Sequence, residues 1–367
     1  MSSSPSRLAF VDLLRALAAS TIVWHHLAFY GPLSDVAHPL APGLLDWLDT
    51  YGRMAVQVFL VLGGFMMGRS LDLARPLSLP ALARALARRY VRLTVPYAAA
   101  LLLAVVANAA AARLMEHPSI SAPPSVGQLL AHALLLQDLL GYEALSAGVW
   151  YLAIDFQLAA LTLLLAWGAG RAAPPLRRRL FLALCGALAA ASVLLFNRHP
   201  ALDVTALYFF GSYALGLSVQ RALAGGARAR AVFGVLAALA AGAGLVDGRL
   251  RLLVAAVTAV ALMLASRTGV LERWPRSRAV ELLARTSYAL FLVHFPVSLV
   301  LSALAMRLPL TPLAALAAMA GCWLASFGVA LLLHLQVEAR LAPAAPPSRR
   351  APHSRSPEPA AGVAGAP

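Results

Sequence analysis

Residues Arg7 to Tyr30, R-L-A-F-V-D-L-L-R-A-L-A-A-S-T-I-V-W-H-H-L-A-F-Y, decide the fold. The stretch is long enough to cross a bilayer, for which about 20 apolar residues suffice. Yet it carries Asp12, Arg15, His25 and His26. A charge at membrane depth costs at least about 2.5–3.5 kcal/mol, so such residues turn toward the protein interior and are functional candidates by default. Arg15 and His26 stand eleven positions apart. At about 100° per residue that returns to within about 20° of the starting direction. The two share one helix face, about 16 Å apart along the axis, while His25 points roughly 80° away. Asp12 lies one turn before Arg15, close enough to pair with it.

The rest of the chain has the same character. Of its 367 residues 61% are hydrophobic and 12% charged, against about 45–50% and about 25% in soluble domains. The expected fold is all-α: a polytopic transmembrane bundle of about ten spanning helices, with a transmembrane domain over 1–342 and a disordered cytoplasmic tail over 343–367. The spans read as 8–30, 51–69, 92–112, 147–168, 180–197, 204–221, 230–246, 251–266, 286–306 and 312–336. Asp12 and Arg15 interrupt the uncharged core that a cleavable signal peptide needs, so the first span is read as uncleaved. Cys185 and Cys322 both lie in apolar runs, and neither they nor any other spacing suggests a metal site.

The net charge of +15 does not imply nucleic acid. All 30 basic residues are arginine, and they sit mainly between spans. Twenty-three of them fall on one set of alternate loops and termini and six on the other. By the positive-inside rule both termini are then cytoplasmic. The long loop from Leu114 to Ala147 faces outward. Its apolar part, Val126 to Leu140, is too short to span and reads as an interfacial or re-entrant helix.

Four segments carry the chemistry. Asp12, Arg15 and His26 are the first. Imidazole takes a proton near neutral pH, which suits His26 to general-base work. Arg15 keeps its proton and binds anionic or oxyanionic groups. The second is the basic run Arg84, Arg88, Arg89 and Arg92, suited to phosphate. The third, W-Y-L-A-I-D-F-Q, opens the fourth helix with Trp150 and places Asp155 inside it. The fourth, S-Y-A-L-F-L-V-H-F-P, places His294 inside the ninth helix just before Pro296. Gly63-Gly64 in the second helix permits close helix packing. Depth counted from the expected helix ends puts Arg15 and His294 in an inner tier and His26 and Asp155 in an outer one.

In this order the segments resemble the acyltransferase-3 family of integral membrane acyltransferases, over Arg7 to about Glu338. Asp12, Leu14, Arg15 and His26 match its opening pattern of an arginine, ten residues and a histidine. Phe59 to Phe65 match a segment like F-F-V-L-S-G-F. Arg88, Arg89, Arg92, Leu93, Pro96 and Tyr97 match a basic segment, Trp150 to Asp155 match W-S-L-S-V-E, and Ser287 to Pro296 match S-Y-S-L-Y-L-L-H-x-P. Gln57 stands where the family often has Asp, Gly63 where it has Ser, and Asp155 where it has Glu.

The resemblance implies an inner-membrane O-acyltransferase, an O-acetyltransferase in the first instance. Its donor would be cytoplasmic acyl-CoA such as acetyl-CoA, with no permanently bound cofactor, and its acceptor a hydroxyl of a glycan or lipid-linked glycan. Within that reading His26, Arg15, Asp155 and His294 are catalytic candidates, Arg88, Arg89 and Arg92 hold coenzyme A, and Asp12 and Trp150 orient the site. Membrane lipids are the other expected partners. The rival reading is a transporter or lipid translocator, since intramembrane Arg, His and Asp also mark substrate pathways. No internal repeat of the kind many transporters carry is visible. Reporter fusions after Pro32, Arg75, Pro118 and Arg177 should alternate outside, inside, outside, inside; two neighbouring fusions on the same side would break this topology.

Overall fold

The computed structural model describes residues 7–341. The expected tail, 343–367, lies outside them. Among the described residues there are helices and no strands. Ten helices form the body: α1 Ala9–Phe29, α2 Val56–Ser70, α3 Leu79–Ala111, α4 Trp150–Ala169, α5 Pro174–Leu194, α6 Ala206–Ala224, α7 Ala227–Val246, α8 Leu250–Thr268, α9 Arg278–Ala305 and α10 Pro312–Leu333. Eight helical runs are long and apolar enough to cross a membrane, with α2 counted in the continuous run Pro42–Ser70. The chain is therefore a membrane-embedded helical bundle.

The two helices outside that group of eight are α1 and α6. Both are central. In α6, 14 of 19 residues are buried, so protein rather than lipid surrounds it and its Gly, Ser and Tyr side chains need no apolar solvent. By contrast α10 buries one stripe, Ala315, Met319, Cys322, Ser326 and Ala330. That three-and-four spacing is the seam of a helix packed along one face, here mainly on α9 and also on the short helix Leu33–Ala37.

The helices alternate in direction, and contacts at each end show it. At the end holding the start of α1, Arg7 bonds Glu281 at 2.6 Å, Arg177 donates to the Ala74 carbonyl at 2.8 Å, and Arg221 donates to the Leu71 carbonyl at 3.2 Å. At the opposite end Arg249 donates to the Val193 carbonyl at 2.6 Å and Arg307 to the Leu114 carbonyl at 3.3 Å.

Three helices begin six or more residues earlier than the sequence suggests: α5 at Pro174, not 180, and the two whose shifts matter for the site. α3 starts at Leu79, not 92, capped by Ser78 accepting from the Ala81 amide at 3.3 Å. At 33 residues it is about 50 Å long, more than the about 30 Å apolar layer. Its basic first half is therefore helix, not a loop, and is part of a helix longer than the apolar layer is thick. α9 starts at Arg278, not 286, capped by Ser277 accepting from the Val280 amide at 3.4 Å, and runs unbroken through Pro296. Charge near a helix start was the misleading signal in both: it marks the edge of the bilayer, and helices do not have to end there.

The segment Val126 to Leu140 is helical only over Val126–Ala133. Ser125 and Gln128 form a reciprocal capping box at its start. What enters the bundle is the segment after it: Leu145, Ser146, Ala147 and Val149 are buried. A Cβ placed on Gly148 would lie 2.9 Å from the Phe291 ring and 3.4 Å from Cε1 of His26. α4 consequently starts deep inside the bundle.

The closest backbone approach joins α2 and α6. A Cβ on Gly64 would stand 1.8 Å from the Tyr213 carbonyl oxygen, and one on Gly216 1.8 Å from the Val61 oxygen. Neither obstacle is a side chain that can swing away. Gly64→Ala should destabilise the protein by about 3 kcal/mol, the upper part of the overpacking range. Gly234→Ala, whose Cβ meets nothing within 4 Å, should be neutral or slightly stabilising. Thermal unfolding of the two variants side by side in detergent checks the contrast; equal transitions would contradict it.

Candidate active site

His26 and His294 meet. The Nδ1 of His26 lies 2.6 Å from the Nε2 of His294, and the rings are 4.9 Å apart at 8°. The other nitrogen of His294 settles the tautomers. Its Nδ1 is 2.8 Å from the Phe291 carbonyl oxygen and 3.2 Å from that of Leu290. A carbonyl only accepts, so His294 Nδ1 carries a proton. Among the described residues no carboxylate bonds either ring; with both rings in the neutral form, His294 Nε2 is the acceptor. His26 Nδ1–H then donates to it, and His26 Nε2 keeps a free lone pair. His25 is used differently. It is 5% exposed, and its Nδ1 donates to the Leu48 carbonyl at 2.9 Å, fastening α1 to the helix Pro42–Tyr51.

His26 lies on the wall of a cavity of about 830 Å³. Ile154, Phe291, Phe295 and Gly148 line its apolar part, and Trp150, stacked on Phe209 at 5.5 Å and 25°, lines another side. The polar wall comes mainly from the segments between helices: Asp49 and Arg53 after α1, Asp138, Glu143 and Ser146 before α4 and Asp203 before α6, with Arg251 from the first turn of α8. These connections lie at the end of the bundle opposite the start of α1.

Asp155 does not join the histidines. Both its oxygens lie 2.6 Å from one terminal nitrogen of Arg89, in a pair whose acid side chain is 10% exposed. The tiers expected from depth are thus exchanged. His294 sits with His26, because α9 begins earlier than expected. Asp155 sits with Arg89, because α4 begins deep. Tyr151 links the layers: its ring contacts Phe291 edge-on at 5.5 Å, and its hydroxyl end lies in the field of Asp155, Arg89, Tyr213 and Arg15.

The basic run divides in the same way. Arg84, Arg88 and Arg92 share the exposed face of α3, four residues apart, and Arg89 turns inward. Asp12 pairs with Arg7 at 2.7 Å rather than with Arg15. Arg7 also holds Glu281, so the start of α1 is tied to the start of α9. Gln57 accepts from Ser212 at 2.7 Å and borders the cavity. Gln157, last residue of the Trp150 segment, accepts the Ala206 amide at 2.9 Å and so caps α6. Among the described residues no group of three or more His, Cys, Asp or Glu is set to hold a metal ion.

Sequence reading missed the Tyr151 and Tyr213 hydroxyl ends and the acidic rim of the cavity. Tyr151 stood inside a segment already singled out. The rim carried no such signal, since Asp49, Asp138, Glu143 and Asp203 come from three separate connections.

The chain is thus a membrane-embedded helical bundle with an imidazole pair against a cavity and a buried Arg–Asp pair. The family model of the acyltransferase-3 acyltransferase domain matches residues 8–331, and the chain belongs to that family. It is a membrane acyltransferase. No curated protein and no solved structure matches the chain.

The Arg89–Asp155 pair makes its own prediction. Removing one partner leaves a poorly solvated charge alone, which costs about 3 kcal/mol. Asp155→Asn and Arg89→Gln should each destabilise the protein, and the double variant should lose less than the sum of the two. A double-mutant cycle on thermal unfolding measures the coupling; strict additivity would mean that the pair contributes nothing.

Proposed function

We propose that the protein is an O-acyltransferase that moves an acetyl group from cytoplasmic acetyl-CoA to a hydroxyl of a glycan or lipid-linked glycan. The observation that carries this reading is the free Nε2 lone pair of His26 beside a large cavity. The arginine-rich end of the bundle is taken as cytoplasmic, in a bacterial-type inner membrane, and the cavity then opens on the other side.

In this scheme the nucleotide of coenzyme A docks on Arg84, Arg88 and Arg92. Their exposed guanidiniums have no carboxylate partner among the described residues and suit phosphate. Arg89 is excluded from that task by Asp155. The pantetheine arm passes Arg15 and Tyr151 and brings the thioester to His26. An acceptor hydroxyl in the cavity attacks the thioester carbon while His26 Nε2 takes its proton. The C–S bond breaks, the new ester forms, and the leaving thiolate takes the proton from His26. His294 acts through His26: its Nε2 accepts the His26 Nδ1–H bond, fixing the ring and favouring the imidazolium as it forms.

Three substitutions separate these roles. With radiolabelled acetyl-CoA and isolated membranes at matched protein levels, His26→Ala should lose transfer by about 10²–10⁴-fold. His294→Ala should lower kcat by on the order of tenfold to a hundredfold with KM for acetyl-CoA little changed. His25→Ala should keep the transfer rate of whatever protein folds, since its bond is to a backbone carbonyl. Full activity in His26→Ala would sink the mechanism; loss in His25→Ala alone would move the base to the other histidine.

A further inference from the structure

The cavity holds more charge than the transfer step uses. Asp49, Asp138, Glu143 and Asp203 line it together with Arg53 and Arg251. Among the described residues none of the six is in an ion pair. Arg251 is engaged by the Tyr208 hydroxyl and lies 5.1 Å from that ring. Asp138 accepts from Gln137 at 2.7 Å. Four carboxylates against two guanidiniums leave the mouth net negative, on a chain whose formal charge is +15. A cleft lined by one sign of charge concentrates ligands of the other sign.

Two independent features say that the wall receives a polar ligand. Ser146 is 5% exposed, lines the cavity, and its Oγ has no partner. A buried hydroxyl without a partner costs free energy that a ligand hydroxyl would recover. Trp150 offers an indole face backed by Phe209, the best side-chain platform for a cation. Asp138 adds a third point. Burial pushes its carboxyl above the ordinary range, and the nearby Asp203 charge pushes it further. An anion held at such a disadvantage gains when a positive group arrives between the two acids.

We infer that the acceptor subsite discriminates by charge: it takes a sugar unit without negative charge, favours one bearing an ammonium group, and rejects a uronate. Asp138 and Asp203 are the specificity-determining pair, Trp150 the platform, and Ser146 a hydroxyl partner. The inference rests on the glycan-acceptor reading above and deepens it.

The test compares three trisaccharides of one size on the purified full-length protein in detergent, by calorimetry or fluorescence. They are a glucosamine trimer, its N-acetylated neutral counterpart and a galacturonic acid trimer. The glucosamine trimer should bind about tenfold or more tighter than the galacturonate trimer, with the neutral trimer between them, and added salt should narrow the gap. The isosteric double variant Asp138→Asn/Asp203→Asn should bring the three affinities together mainly by admitting the uronate. Galacturonate binding as tightly as the neutral trimer, or a ranking the double variant leaves unchanged, overturns charge selection while leaving a glycan acceptor in place. If no trisaccharide binds a preparation that still binds acetyl-CoA, the glycan reading fails and the inference fails with it.

Discussion

A neutral imidazole has one proton for two nitrogens, and inside a bundle each nitrogen needs a protein partner or a cavity to face. The backbone carbonyls of Leu290 and Phe291 claim the proton of His294 at Nδ1. That leaves Nε2 as an acceptor, which claims the proton of His26 at Nδ1. The chain of claims ends at His26 Nε2, beside the cavity, with nothing further inside the bundle to satisfy it. An α-helix satisfies its own backbone, yet a side chain three or four residues on can still share a carbonyl. The tautomer of His26 is thus set by an ordinary turn of helix, one side chain away. This is why α9 must place His294 opposite His26, and why Arg7 and Glu281 tie the starts of the two helices together.

Much of this was legible in the sequence, for physical reasons. Apolar length is dictated by the bilayer, and it accounts for eight of the ten helices. Arginine partitions to one side, so the loops alternate in charge. Four of the five family motifs could be read because they contain polar residues that an apolar helix does not tolerate by chance; Phe59 to Phe65 has only its glycine pair. Depth was not legible. A helix start sets the depth of everything after it, and the depth of a start cannot be read from the edge of an apolar run. α9 extends past the bilayer under a serine cap, and α4 begins inside the bundle because Leu145 to Val149 descend into it. Partners across helices were not legible either. Arg89 and Asp155 are 66 positions apart, and nothing local says that Arg89, alone of its cluster, turns inward.

The same logic separates roles within the basic run. On a helix Arg84, Arg88 and Arg92 fall on one face, and Arg89 falls about 100° away from Arg88. One face meets water and the other meets Asp155. A single stretch of sequence therefore supplies both an exposed guanidinium face and a buried counter-ion. Reading it as one cluster blurs two environments that the helix keeps apart.

Two departures from the family pattern prove to be neighbours. Gly63 stands in place of the usual Ser, and Asp155 in place of the usual Glu. A Cβ on Gly63 would lie 3.8 Å from an Asp155 carboxylate oxygen and 3.2 Å from the Tyr213 ring. The two shortenings act in the same small volume, with Tyr213 standing against both. A serine there would press on the Tyr213 ring while offering a hydroxyl to the acid. A glutamate would carry its carboxylate about one methylene farther toward Arg89, which already meets the shorter acid at 2.6 Å. Restoring either family residue alone would therefore crowd the site, whereas Gly63 and Asp155 together leave room for Tyr213 and preserve the ion pair. The pair is retained with a different division of space, which is what a packed interior demands when one of its polar side chains is shortened.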